Sequence, residues 1–370
     1  MDLDAPTALL GGLSPAAFMR RHWQKKPLVV RQALPGATAP ITRPALFDLA
    51  ARDDVESRLV AQSAGRWQVR YGPLARRSLP PVGKPGWTLL VQGLDLHLPA
   101  AHDLLQRFRF VPDARLDDLM LSWASDGGGV GPHLDSYDVF LIQVHGRRRW
   151  RFGRVADESL VDGLPLKILR RFEPEQDIVL DPGDLLYLPP RWAHDGIAVG
   201  ECMTASVGFR VPTQGGLARE LLQRIADGVD DDGALYRDPK QPATATPGAL
   251  PPALVDFARA SLERVLCEPG ALERALGEVL TEPKPRVWFD GGAAAGAGLR
   301  LDAKTRMLYD DRRVFINGEA FDAAGRDARL MRRLADTRRL DVRDGAALSD
   351  GARALLDEWI DAGWLHRSTP

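Results

Sequence analysis

Between Arg58 and Phe209 the chain is a succession of short β-like runs separated by turn residues, and this constrains the fold more than any other feature. Trp67–Tyr71, Thr88–Gln92, Asp118–Trp123, Asp138–Val144, Arg149–Phe152, Ile178–Leu180, Leu185–Leu188 and Cys202–Phe209 have strand length and β-branched or aromatic content. Strands so short and so regularly spaced predict a sandwich or barrel rather than βαβ units. The flanks read differently. Residues 14–24 form a capped helix, with Ser14 at the N-cap and Pro15 at the first helical position; Pro27 ends it, and Leu28–Val30 is a strand. A helical run follows over about 43–51. Beyond Pro212 the three-and-four spacing of apolar residues predicts helices over Gly215–Gly228, Pro252–Glu268 and Ala271–Leu280, with a polar loop over 229–251. After Val287-Trp288-Phe289 and a loop over Gly291–Gly298 come two short β-like runs, Arg306–Tyr309 and Arg313–Ile316, helices over 325–337 and 348–362, and a last strand at 363–365. The layout is thus β-rich over 1–212, helical over 213–285 and a small α+β tail over 286–370.

Composition narrows the function. In 370 residues, 49 basic and 50 acidic side chains leave a net charge of −1, so no global field draws the chain to nucleic acid or to a membrane surface. Two cysteines, Cys202 and Cys267, exclude a disulfide framework and a thiolate zinc cluster; both read as buried small hydrophobes, and the compartment reads as reducing. The acidic start Met1-Asp2-Leu3-Asp4 is unlike a signal peptide and no stretch is apolar enough to span a bilayer, so a cytoplasmic location is expected. Seven histidines keep the candidates for an imidazole metal site few.

The segment Gly127-Gly128-Gly129-Val130-Gly131-Pro132-His133-Leu134-Asp135-Ser136-Tyr137-Asp138 carries the chemistry. In a strand, residues two apart face one side, so His133 and Asp135 would present an imidazole and a carboxylate to one point. Alone, such a pair is as readily a solvated strand end. A third ligand is offered by His194, after the turn Asp181-Pro182-Gly183-Asp184, a strand at Leu185–Leu188 and the exit Pro189-Pro190. Two imidazoles and a carboxylate on one face suit a non-haem Fe(II) with open positions. Such a centre commonly takes a 2-oxo acid, whose far carboxylate needs a buried cation. Gly146-Arg147-Arg148-Arg149-Trp150, beyond a turn expected at Gly146, offers three arginines; alternation sends Arg147 and Arg149 to one face and Arg148 to the other. His145 is expected at that turn.

These motifs, together with His22-Trp23-Gln24-Lys25-Lys26-Pro27, Glu56–Val60, Trp87–Gln92 and Ser206–Arg210, resemble the cupin/Jumonji-C-type ribosomal oxygenases over nearly all of the first 210 residues. The likeness is greatest to the bacterial members that hydroxylate an arginine of the sixteenth large-subunit ribosomal protein. The resemblance implies a mainly β plus α fold: a double-stranded β-helix, then a helical dimerisation region and a winged-helix-like C-terminal domain. It implies Fe(II) on His133, Asp135 and His194, with 2-oxoglutarate and O₂ as cosubstrates and Arg148 on the distal carboxylate. Where relatives carry a hydroxyl this chain has Ala124, so Ser122 or Thr204 would supply the secondary cosubstrate contact. A cationic substrate calls for acidic or aromatic groups at the mouth, for which Asp117, Asp118 and Tyr137 are candidates. A homodimer and a ribosomal protein as substrate complete the expectation.

Rival readings keep the same iron centre and change the substrate to another protein, a tRNA base or a small molecule, or retain the cupin as a non-catalytic dimeric binding module. A nucleic-acid track is not expected: Arg312-Arg313, Arg332-Arg333 and Arg338-Arg339 are interleaved with Asp327, Asp336, Asp341 and Asp344. The glycine run leads into a strand and lacks Gly-Lys-Ser/Thr, so it is a poor phosphate loop.

Overall fold

Serine and proline begin the first helix as expected: Ser14 Oγ accepts from Ala17 N at 3.2 Å, and α1 runs over Pro15–Arg21. The computed structural model describes residues 2–63, 65–230, 233–291 and 296–368, and divides into two units, residues 1–211 and 212–370.

In the first unit α1 is followed by β1 (Leu28–Val30), α2 (Arg43–Leu49), β2 (Ser57–Ser63), β3 (Arg66–Tyr71), β4 (Trp87–Val91) and α3 (Pro99–Gln106). Then come β5 (Leu116–Ala124), β6 (Val139–Gly153), β7 (Gln176–Leu180), β8 (Leu185–Leu188) and β9 (Ala193–Phe209). The strands join in the order β1-β8-β6-β9-β5-β4-β2-β3, with β7 also on β6 and antiparallel pairing throughout. Helix α3 interrupts a stretch that sequence patterning assigned to strands and turns alone; Pro99 at its first turn starts it, and Ala101 and Leu105 bury its inner side.

Sequence reading expected a turn at Gly146 between two strands. The structure instead carries one 15-residue strand through that point, with register shifts between Gln143 and Arg147. Gly146 has φ +59°, and a Cβ there would stand 2.1 Å from Glu201 O, so an extra residue bulges where any side chain would be excluded. The first half of β6 pairs with β8 and the end of β9; its second half pairs with β7 and the start of β9. Two long strands thus pass from one layer to the other, and the result is the double-stranded β-helix of the cupin/JmjC class.

Alternation divides each layer's faces. Trp87, Leu89, Leu121, Trp123, Phe140 and Val207 point outward, into a core shared with Phe18 of α1 and Leu46 and Phe47 of α2. Trp87 and Trp123 lie 4.4 Å apart by ring centroid, and each such fully buried aromatic contributes about 1.5–3 kcal/mol or more of burial. The opposite faces line the barrel with a smaller apolar cluster, including Leu141, Trp150, Phe152, Leu186 and Leu188.

The second unit opens with α4 (Gln214–Asp227), α5 (Pro252–Leu266) and α6 (Ala271–Thr281). Strands β10 (Gly298–Leu301), β11 (Met307–Tyr309), β12 (Arg313–Ile316) and β13 (Glu319–Asp322) precede α7 (Gly325–Thr337), β14 (Arg339–Leu340), α8 (Val342–Ala346), α9 (Asp350–Asp361) and β15 (Leu365–Ser368). They form two three-stranded sheets, β14-β10-β15 and β11-β12-β13. Asn317-Gly318, at φ +49° and +91°, turns β12 into β13, a hairpin signalled by its dipeptide. Met331, Leu334, Trp359 and Ile360 from α7 and α9 pack on Leu299 and Leu301. The expected loops over 229–251 and Gly291–Gly298 fall partly outside the described residues, at 231–232 and 292–295. Cys202 is buried as expected; Cys267, expected to be buried, is exposed at the C-terminal end of α5, a helix with no buried residue among the described ones.

Candidate metal centre

His133, Asp135 and His194 come together at the barrel mouth with one donor atom each, all within 4.8 Å of one another. The expected strand geometry around the first two is absent: His133 makes an isolated antiparallel bridge to His194, and Asp135 follows in irregular backbone. Reciprocal backbone bonds between the two histidines, His133 N to His194 O and His194 N to His133 O, both 3.0 Å, replace strand alternation as the positioning device. Arg191, at φ +63° after the double proline, donates its N–H to Asp135 O at 2.8 Å and ties the two ligand segments together.

Each imidazole is oriented by a carbonyl two residues upstream. His133 Nδ1 lies 2.8 Å from Gly131 O, and His194 Nδ1 2.9 Å from Trp192 O. A carbonyl only accepts, so Nδ1 carries the proton and each Nε2 presents its lone pair to the centre. His133 Nε2 stands 3.8 Å from Asp135 Oδ1 and His194 Nε2 3.5 Å from Asp135 Oδ2. Burial, with His133 alongside, pushes His194 down to about 4, so it is neutral, the form that binds metal. This donor set fits a first-row divalent ion held on one face.

The bulge at Gly146 settles the arginine question. Before it, Phe140, Ile142 and Val144 face the outer core; after it, Trp150 and Phe152 face the barrel interior, so inserting one residue inverts the parity. Arg148 therefore points inward at 5% exposure, while Arg147 and Arg149 are exposed and Arg149 pairs with Asp177. The Arg148 Nε and one terminal nitrogen are buried with no hydrogen-bond partner among the described residues. Its guanidinium carbon sits 5.7 Å from the centre of the Trp150 ring. A buried, unpaired guanidinium is costly unless an anion joins it, and a dicarboxylate reaching from the metal fits that requirement.

Ser122 and Thr204 are buried and directly opposite each other, with Gln143 opposite Thr204 in turn. Ser122 Oγ donates to Thr204 O at 3.3 Å and Thr204 Oγ1 to Gln143 Oε1 at 2.9 Å. Gln143 Nε2 in turn donates to His145 O at 2.8 Å and Gly146 O at 3.2 Å, so this chain of bonds holds the bulge. His145 is exposed within that bulge.

The three mouth candidates separate. Asp118 is buried and accepts from Gly93 N at 3.2 Å, whereas Asp117 is more exposed and lies 3.6 Å from Arg210 Nε. Tyr137, 38% exposed, has its phenol shifted up by withdrawal from water and by the carboxylates of Asp135 and Asp118. Sequence reasoning missed Gln143 and Thr88. Neither belongs to a motif; both gain meaning only from strand register.

A family model described as the JmjC domain matches residues 103–217, and one described as the ROXA-like winged helix matches residues 262–366. A ribosomal protein uL16 3-hydroxylase of Escherichia coli is 36% identical over 94% of this chain and 96% of its own length. A probable ribosomal oxygenase of Haemophilus influenzae is 30% identical over 95% and 96% of the two chains. The solved structure of a ribosomal oxygenase from Escherichia coli in complex with cobalt and 2-oxoglutarate superposes with a TM-score of 0.79 at 33% identity, covering 95% of this chain and 98% of that one.

Proposed function

The chain belongs to the JmjC ribosomal oxygenases, and from that membership we propose that it hydroxylates an arginine side chain of the sixteenth large-subunit ribosomal protein. It is an Fe(II)- and 2-oxoglutarate-dependent ribosomal-protein hydroxylase. The observation that carries the reading is the His-Asp-His set together with a buried arginine two of whose nitrogens have no partner among the described residues.

His133, Asp135 and His194 hold the iron. Bound iron with 2-oxoglutarate and O₂ supplies the oxidising power for an unactivated carbon, and the protein supplies placement. Gly131 O and Trp192 O keep both Nδ1 protons, so each Nε2 stays a ligand. Arg148 pairs with the distal carboxylate of 2-oxoglutarate, fixing the cosubstrate's reach. Ser122 and Thr204 line the same interior and keep the bulge rigid through Gln143. Trp150, Phe152 and Leu186 exclude water around the cosubstrate's chain.

Asp118, Asp117 and Tyr137 receive the substrate arginine. Tyr137 lies beside Asp135 and so beside the reacting centre, and its ring can face a guanidinium while Asp118 draws the charge. The remaining assignments are ours in the same sense: residues 1–212 catalyse, 213–285 dimerise and 286–370 form the winged-helix-like domain. The homodimer is supported by α5, which has no buried residue in the described chain yet carries Leu254, Phe257 and Leu262 at its surface. A cytoplasmic location agrees with the absence, among the described residues, of any helix long and apolar enough to cross a membrane.

The test is incubation with Fe(II), 2-oxoglutarate and the ribosomal protein or its arginine-containing peptide, followed by mass spectrometry. A gain of one oxygen on arginine, lost with Asp135→Ala, is expected. Succinate release without that gain overturns the substrate; an Asp135→Ala protein as active as the wild type overturns the metal centre.

A further inference from the structure

The wall opposite Arg148 contains a second buried polar group without a partner. Thr88 on β4 is 1% exposed, and its Oγ1 has no hydrogen-bond partner among the described residues. Its neighbours Trp87 and Leu89 point into the outer core, so alternation turns Thr88 toward the barrel interior. Directly opposite Thr88 on β5 is Ala124, and opposite Ala124 on β9 is Cys202. Ala124, Cys202 and Ala198 pack as one small cluster, and Ala198 stands directly opposite Arg148. Opposed residues of antiparallel strands share a face. The row therefore runs from the Thr88 hydroxyl over three small side chains to the Arg148 guanidinium, and the polar groups at both ends lack partners.

Gly128 passes close to this end of the row. A Cβ there would stand 3.1 Å from Thr88 Oγ1 and 2.4 Å from Trp87 O, so the second glycine of the run is the residue that lets backbone approach the hydroxyl so closely.

We propose that Thr88 is a second cosubstrate-binding residue, its hydroxyl donating a hydrogen bond to the distal carboxylate that Arg148 pairs with. This rests on the 2-oxoglutarate reading above. A carboxylate offers about four lone-pair sites and a bidentate arginine uses two of them, so a hydroxyl on the far side completes the anion's shell without competing.

Thr88→Val keeps the shape and removes the hydroxyl; Thr88→Ser keeps the hydroxyl. Calorimetric titration of the manganese-loaded full chain with 2-oxoglutarate reads affinity without turnover, and steady-state assays read KM and kcat. Thr88→Val is expected to weaken 2-oxoglutarate binding and raise its KM by about ten-fold or more, as loss of a hydrogen bond to a charged group does. The expected kcat is unchanged, and Thr88→Ser binds as the wild type does. Binding of 2-oxobutyrate, which has no distal carboxylate, is expected to be equal in wild type and Thr88→Val. Wild-type affinity in Thr88→Val, with affinity lost in Arg148→Ala, overturns the role of Thr88 alone. Undiminished affinity in both variants overturns the cosubstrate pocket itself. An equal loss for 2-oxobutyrate overturns the proposal in favour of packing. Should Thr88→Val fail to fold, Thr88→Ala is read against the same outcomes.

Discussion

A buried ionised group is tolerable only when its surroundings answer its charge, and Arg148 and Asp184 are answered differently. Arg148 has nitrogens left unpaired, which is what a ligand site requires. Asp184 is saturated: its carboxylate accepts from Gln32 N at 2.9 Å, Asp181 N at 3.0 Å and Arg31 at 2.5 Å, pinning β1 to the turn before β8. Burial alone would raise the Asp184 carboxyl, but these donors outweigh it and hold the group below the ordinary carboxylate range. A carboxyl depressed in the folded state stabilises the fold above its unfolded pKa, and that stabilisation disappears as pH falls through the folded value. Asp184→Asn should therefore lower stability by about 1.5–3 kcal/mol near neutrality, by denaturant unfolding, and the gap from wild type should close as pH falls through the acid range. A gap independent of pH would assign the effect to shape rather than charge. At this scale the sequence was legible for His133, Asp135 and His194, whose spacing and turn context point to a metal. It was silent on Thr88, since one threonine in a strand carries no signal until its neighbours across the sheet are known.

The decisive element is β6. Its bulge inverts which residues face inward, and so delivers to the interior Arg148, the arginine of the run that the sequence motifs single out. Gln143 clamps the two bulge carbonyls and is itself held by Thr204. Gln143→Leu is expected to lower the melting temperature and weaken 2-oxoglutarate binding, while manganese affinity measured calorimetrically stays at the wild-type value. Loss of both affinities would mean the barrel, and not the bulge, had been disturbed. Gly146→Ala is a harsher version, since the left-handed backbone costs about 1–2 kcal/mol and the carbonyl of Glu201 stands where the methyl would go. Short strands read from the sequence as separate, Asp138–Val144 and Arg149–Phe152, are halves of one. Glycine at φ > 0 serves a turn and a bulge equally well, and only the pairing partners on β8, β7 and β9 distinguish them.

At the scale of the whole molecule the question is what the helices after Pro212 are for. Helices α4 and α5 carry the spacing of amphipathic helices but bury nothing among the described residues, with Leu222 and Leu262 more than half exposed. Exposed apolar side chains gathered on these two helices support the proposed dimer interface. Size-exclusion chromatography with light scattering is expected to give a dimer, and Phe257→Glu with Leu262→Glu to give a monomer with the metal centre intact. A monomeric wild type would overturn the dimer. The near-zero net charge supplies no long-range attraction for a basic ribosomal partner, so the proposed recognition rests on local groups.

The sequence by itself determined that the first 210 residues are a β sandwich or barrel and which residues could ligate a metal, and the motif resemblance chose the double-stranded β-helix and the iron centre. Periodicity and donor chemistry are local properties, and local properties survive in one dimension. The tertiary structure decided how Arg148 comes to enter the barrel, that two histidines orient each other through backbone bonds, and that Thr88 and Arg148 stand opposite members of one cluster of Ala124, Ala198 and Cys202. Those facts depend on register between strands far apart in sequence, where a single inserted residue reverses every side chain that follows.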